Sequence, residues 1–285
     1  MKYRHSYHAG NFADVHKHVT LLALLAALKR KDKGFLYLET HAGSGSYTHP
    51  ASSVTDAPAH EAESGIERII HAPLHAEELR SYLEAVTTFR KVRHDRRAYP
   101  GSPLLAAREL RPQDRGVAIE IQPAEARALE LALGKGGGVR VERGDGFERL
   151  RAHLPPKERR GLTFIDPPYE ETRRDFERAT EATLEALRRF ESGVVCVWYP
   201  IKSERDVAAW TNAFARAVNR ELLFSELWVF PRDSRVGLNG SGLAIANPPF
   251  QIAERMQVWM PELRAALDGT GAGGESVRVI VPRKT

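Results

Sequence analysis

The chain has 285 residues, of which 42% are hydrophobic and 28% charged; this balance supports a sizeable buried core and excludes wholesale disorder. A formal net charge of +5 permits a polyanionic partner without requiring one. The lone cysteine, Cys196, excludes an intramolecular disulfide or a paired-cysteine site, and its apolar surroundings predict a buried strand thiol.

Residues 1–18 are polar, aromatic and basic, with Lys2, Arg4, Lys17 and four histidines (His5, His8, His16, His18) crowded together. Residues 19–30 read as a helix of Leu, Ala and Val, with Lys29 and Arg30 suited to its C-terminal end. The apolar run at 19–28 is too short to span a bilayer, and no signal-peptide core precedes it. A soluble, cytoplasmic protein is expected. A short buried strand follows at 35–39, then the glycine turn 41–46.

Residues 50–98 break this rhythm. Helices at 66–70 and 79–89 predict a helical insertion, and Arg90, Lys91, Arg93, Arg96 and Arg97 form a second basic cluster that by itself is a solvated face. Residues 102–110 return to helix. Alternation then resumes: strands at 117–121, 139–142, 162–165 and 193–199, with helices at 123–133, 149–153, 171–190 and 204–217. Strands at 221–230 and 242–246 flank the glycine-rich 237–242. A helix at 251–267, a flexible link at 269–274 and a last strand at 277–281 complete the chain. The pattern predicts an α/β fold with a mostly parallel, doubly wound sheet and an antiparallel hairpin at one edge.

Four signals sit at strand ends. The first is H-A-G-S-G-S, including His41 and Gly43. Its glycines let the backbone approach a ligand, although a tight turn needs the same residues. The second is Glu120, an acid placed like those that accept ribose hydroxyls in nucleoside-binding sheets. The helical insertion explains its long separation from the glycine turn. The third is Asp145-Gly146, where an Asp can reach an adenine amino group and where a plain D-G turn is the simpler reading. The fourth, Ile165-Asp166-Pro167-Pro168-Tyr169, is the most specific. Two prolines remove two backbone donors and stiffen the chain, so that an acid, a rigid carbonyl and an aromatic ring meet at the sheet's carboxyl edge.

The D-P-P-Y tetrapeptide resembles the catalytic motif of amino-group methyltransferases acting on adenine, cytosine or glutamine. The string Y-R-H-S-Y-H-A-G-N-F-A-D-V-H-K-H at 3–18 resembles the opening of the ribosomal RNA large subunit methyltransferase J family. So do L-Y-L-E-T-H-A-G-S-G at 36–45, Y-P-G-S-P at 99–103, W-Y-P-I-K at 198–202 and G-L-N-G-S-G at 237–242. The family often has His where Phe12 stands and Asp where Glu39 stands.

The resemblance implies a Rossmann-like class I methyltransferase fold over 1–49 and 99–285, with 1–18 closing over the active site and 50–98 inserted as a helical subdomain. It implies S-adenosyl-L-methionine as methyl donor and the N6 amine of a 23S rRNA adenine as acceptor. The enzyme would be a monomer using naked or partly assembled RNA, with no membrane and no metal. His18, His41, Ser102, Glu120, Asp145, Gly146 and Asp166 look like the cofactor set, beside Gly43 of the turn. Asp166, Pro167 and Tyr169 look catalytic; Tyr3, Lys17 and Tyr169 look substrate-facing.

Four alternatives remain at this point. D-P-P-Y permits DNA adenine or another RNA. Protein-glutamine enzymes typically carry Asn where Asp166 stands. A non-catalytic RNA-binding assembly factor would carry a degraded pocket. A nicotinamide oxidoreductase leaves D-P-P-Y unexplained.

Overall fold

The computed structural model describes residues 9–49, 61–134, 138–170, 172–234 and 237–282. Its first helix, α1 (Phe12–Lys29), begins seven residues before the apolar run that predicted it. The Asn11 side chain caps it by accepting the Asp14 amide at 2.9 Å. Residues 12–25 are buried without a break, so the helix has no solvent face at its start. Most of its polar side chains are tolerated there because they have partners, the buried Thr20 hydroxyl being an exception. His16 lies between the hydroxyls of Ser225 (2.9 Å) and Ser241 (3.1 Å), and His18 Nδ1 meets the Tyr99 hydroxyl at 2.7 Å.

Strand β1 (Leu36–Glu39) is wholly buried, as a central parallel strand must be. After the glycine turn, β2 (Ser46–Thr48) pairs antiparallel with β3 (Ala98–Pro100). Three-residue strands carry no readable period, so this ribbon was not anticipated. It brackets the expected insertion, of which residues 50–60 lie outside the described set. The remainder holds a 3₁₀ turn (Glu61–Ser64), α2 (Ile66–Ile69) and α3 (Glu77–Arg93). Ile66, Ile69, Leu79, Tyr82 and Val86 join the same apolar cluster as α1, so these helices share that core rather than enclosing their own.

The remaining elements follow in alternation. They are α4 (Ser102–Glu109), β4 (Arg115–Glu120), α5 (Pro123–Leu133), β5 (Val139–Arg143), α6 (Gly146–Arg149), β6 (Gly161–Ile165), α7 (Thr172–Arg189) and β7 (Val194–Ile201). Then come α8 (Glu204–Val218), β8 (Leu222–Trp228), β9 (Gly240–Ala246), α9 (Ile252–Leu267) and β10 (Gly274–Ile280). The eight-stranded sheet runs β10-β8-β9-β7-β6-β1-β4-β5. Strands β5, β4, β1, β6 and β7 are parallel, while β9 is antiparallel to both β7 and β8. The antiparallel pair expected at one edge is present, but β10 pairs outside it with β8 and forms the edge itself. The link before β10 is not loose: Asp268 accepts the amides of Thr270, Gly271 and Gly273 at 2.8–3.0 Å.

Alternate residues of each central strand feed two cores. Tyr37, Phe164 and Cys196 face α1, α3, α4 and α9; Leu38, Ile165 and Val197 face α7 and α8. Burial pushes the Cys196 thiol well above its ordinary range, which fits an inert core residue. Among the described residues no helix is long and apolar enough to cross a membrane.

Candidate active site

Chain order reverses between β1 and β6, and loops at such a switch point form the ligand crevice of an open α/β sheet. The turn after β1 is stitched to both neighbours: the Thr40 amide donates to the Phe164 carbonyl (3.1 Å) and the Ala42 amide to that of Ile119 (3.0 Å). Gly43 and Gly45 take φ of +60° and +74°, the left-handed region that the turn requires.

Glu120 ends β4 against this turn. Its Oε2 accepts the Gly43 amide at 2.8 Å and its Oε1 the Gln122 amide at 2.7 Å. A carboxylate offers about four acceptor sites, so each oxygen keeps capacity for one more donor. Next along the edge, Asp145 is the N-cap of α6: its Oδ1 accepts the Phe147 amide at 2.9 Å and its Oδ2 holds Arg178 at 2.6 Å. Burial alone would raise its pKa, but the Arg178 guanidinium and the Phe147 amide hold the carboxyl below its usual range. Gly146 is required by space. A Cβ there would lie 1.8 Å from the Thr40 carbonyl oxygen. His41 bonds Thr40 Oγ1 at 2.8 Å and meets the Phe147 ring edge-on at 4.6 Å. Burial lowers its pKa to about 4, so the imidazole is neutral near pH 7.

The second half of the site gathers at β6. Asp166 Oδ2 lies 2.6 Å from Lys17 Nζ, and Asp14 Oδ1 lies 2.7 Å from the same ammonium. Burial would lower the Lys17 pKa, but the two carboxylates overcome it and raise it well above the lysine range. The ammonium also sits over the Trp198 ring at 5.4 Å. Glu39 accepts the Tyr37 hydroxyl at 2.7 Å and the Ser102 hydroxyl, which fixes α4 to the end of β1. Burial pushes the Glu39 carboxyl up to about 8 although both hydrogen bonds favour its charged form.

Tyr169 departs from the sequence expectation. Its ring is 2% exposed, packs on Phe176 (4.9 Å) and Trp198 (5.6 Å), and donates its hydroxyl to the Trp198 carbonyl at 2.6 Å. In this conformation it has no free face for a base. With φ at +51°, a strained value for a tyrosine, it anchors the D-P-P-Y loop into the core. Pro167 is buried beside Asp166. Tyr3 lies outside the described residues.

Sequence reasoning missed Asp14, Phe147 and Arg178. Asp14 stands three residues before Lys17 on one helix face, a spacing that could have found it. Arg178 is distant in sequence and left no such signal. Among the described residues no group of three or more His, Cys, Asp or Glu side chains is placed to hold a metal ion.

A parallel sheet with one antiparallel strand inserted near its end, a glycine turn after its first strand and acids at the ends of the strands that follow together define a class I, S-adenosylmethionine-dependent methyltransferase. Residues 32–281 match the family described as "Ribosomal RNA large subunit methyltransferase D, RlmJ". The chain is 38% identical to ribosomal RNA large subunit methyltransferase J of Escherichia coli (strain K12), over 99% of each chain. It is 36% identical to the protein of that name from Haemophilus influenzae, again over 99% of each. The crystal structure of protein LPL1258 from Legionella pneumophila superposes with a TM-score of 0.81 at 34% identity, covering 95% of this chain and 98% of that one. The chain belongs to the ribosomal RNA large subunit methyltransferase family that its residues 32–281 match.

Proposed function

We infer that this chain is a soluble cytoplasmic monomer that methylates the N6 amine of one adenine in 23S rRNA, taken as naked or partly assembled RNA. The observation that carries the reading is the D-P-P-Y loop leaving β6 beside the glycine turn of β1, with Asp166 ion-paired to Lys17.

The residues present suit S-adenosylmethionine. Glu120 would accept its ribose hydroxyls on the lone pairs left by Gly43 and Gln122. Gly43 brings the backbone close, and Asp145, Gly146 and neutral His41 would line the adenine end. His18, held by Tyr99, and Ser102, held by Glu39, would complete the set that holds the cofactor. Bound there, the cofactor supplies a sulfonium methyl that is already activated.

The protein's task is therefore to prepare the nucleophile. The lone pair of the adenine amine is delocalised into its ring. Asp166 and the Pro167 carbonyl accept its two N–H bonds, which favours a pyramidal nitrogen and aims the lone pair at the methyl group. The proton can leave after transfer, so no strong base is needed. The base must be unpaired or flipped to enter. Tyr169 serves as the anchor of this loop. The basic cluster at the end of α3 would hold phosphates, giving register rather than sequence choice.

The test is methyl transfer from radiolabelled S-adenosylmethionine to unmodified 23S rRNA, 16S rRNA, DNA and total protein, followed by nucleoside mass spectrometry. N6-methyladenosine confined to 23S rRNA supports the reading. Label in DNA or protein overturns the substrate, and no label in any acceptor, with cofactor binding shown separately, overturns naked RNA as the substrate in favour of a particle or of an RNA-binding assembly factor.

A further inference from the structure

The acceptor role given to Asp166 above raises an electrostatic difficulty, and the inference rests on that role. Asp166 Oδ2 is bonded to the Lys17 ammonium at 2.6 Å, in a site where both side chains are nearly excluded from water. A lone ammonium there would cancel the carboxylate charge at the point where positive charge develops on the amine nitrogen. It would also hold the oxygen that the amine N–H must reach.

Asp14 changes the sum. It lies one helical turn before Lys17 on α1, with Oδ1 at 2.7 Å from the same ammonium. Among the described residues, two carboxylates around one ammonium leave the cluster one unit negative. Glu39 adds little to this charge near pH 7, because burial pushes its carboxyl up to about 8. Asp14 is also fixed: its Oδ2 accepts the Gly10 amide at 2.9 Å, and Asn11 caps its own amide at 2.9 Å. Lys17 and Asp14 thus share one rigid helix, whereas Asp166 belongs to a separate loop.

We propose that Asp14 is a positioning residue: it retains the Lys17 ammonium when Asp166 turns to the target amine, and it keeps the site net negative as the methyl arrives. Removing it leaves Asp166 as the sole counter-ion, among the described residues, of a buried cation, and breaking such a pair is unfavourable.

The full-length chain is assayed by single-turnover transfer to unmodified 23S rRNA, with cofactor affinity by calorimetry and RNA affinity by filter binding. Asp14→Asn is expected to slow transfer by about tenfold or more while both affinities stay within about twofold. In a Lys17→Met background, adding Asp14→Asn should slow transfer no further, because the two residues act as a unit. The two backgrounds share the same Asp166, stripped of its Lys17 partner, and differ only in Asp14, so this comparison decides the matter even if Asp14→Asn alone does not fold. A single-variant rate within about threefold of the unaltered chain, or an equal loss in the Lys17→Met background, overturns the proposal but not the reading of the enzyme. No transfer by the unaltered chain overturns both.

Discussion

At the scale of single residues, the site divides into groups that touch ligand and groups that hold them. Asp166 is expected to be indispensable. Asp166→Ala should abolish transfer while RNA still binds, and an unchanged turnover number would remove it from the chemistry. Glu120→Ala should weaken cofactor binding more than RNA binding, since its carboxylate faces the glycine turn; calorimetry giving the reverse order would take it off the ribose. Two buried groups set opposite pH limits on stability. In the folded chain burial lowers the His16 pKa to about 3 from an ordinary 6.5. Unfolding therefore takes up a proton between those values, so the His16 contribution is whole above pH 6.5 and is lost as pH falls toward 3. Glu39 runs the other way: raised to about 8 from 4.5, its contribution is whole below 4.5 and is lost as pH rises toward 8. Thermal melts across this range should show His16→Gln flattening the acid limb and Glu39→Gln the alkaline limb. Unaltered slopes would mean that neither group carries the linkage.

At the scale of elements, the close approach of α6 to the end of β1 is the tightest constraint near the cofactor. Gly146→Ala puts a methyl into the Thr40 carbonyl and must push the two apart. It should cost on the order of 1–3 kcal/mol in a denaturant melt and weaken cofactor binding as well. A stability and cofactor affinity equal to the unaltered chain would mean that the turn yields without cost. The strand-end acids were readable because strand, turn and acid lie within a few positions of one another. The β/α alternation was readable because central strands are apolar on both faces. The start of α1 was not: His16, Lys17 and His18 are satisfied by Ser225, Ser241, Asp166 and Tyr99, and no local pattern announces partners so far along the chain. The same reason hid Arg178 behind Asp145 and the inward turn of Tyr169 toward Trp198.

At the scale of the whole molecule, cofactor and RNA should respond differently to ions. If phosphates rest on Lys91, Arg93, Arg96 and Arg97, raising salt from about 50 to about 200 mM should weaken rRNA binding at least about tenfold and cofactor binding by less than about twofold. Replacing Arg93 and Arg96 by Ala should make the RNA slope shallower; an unchanged slope would place the RNA elsewhere. The strand order carries a different consequence, for the making of the protein. Strand β9 lies between β7 and β8, so β8 finds its parallel-sheet neighbour only through a segment synthesised after it. Helix α1, among the first elements made, seats His16 against Ser225 and Ser241 of those same late strands. A nascent chain stopped before Gly240 therefore carries an uncovered strand edge and an incompletely seated first helix. Lys17, one residue beyond His16, then has no fixed place beside Asp166, and catalytic competence arrives only with the C-terminal part of the chain.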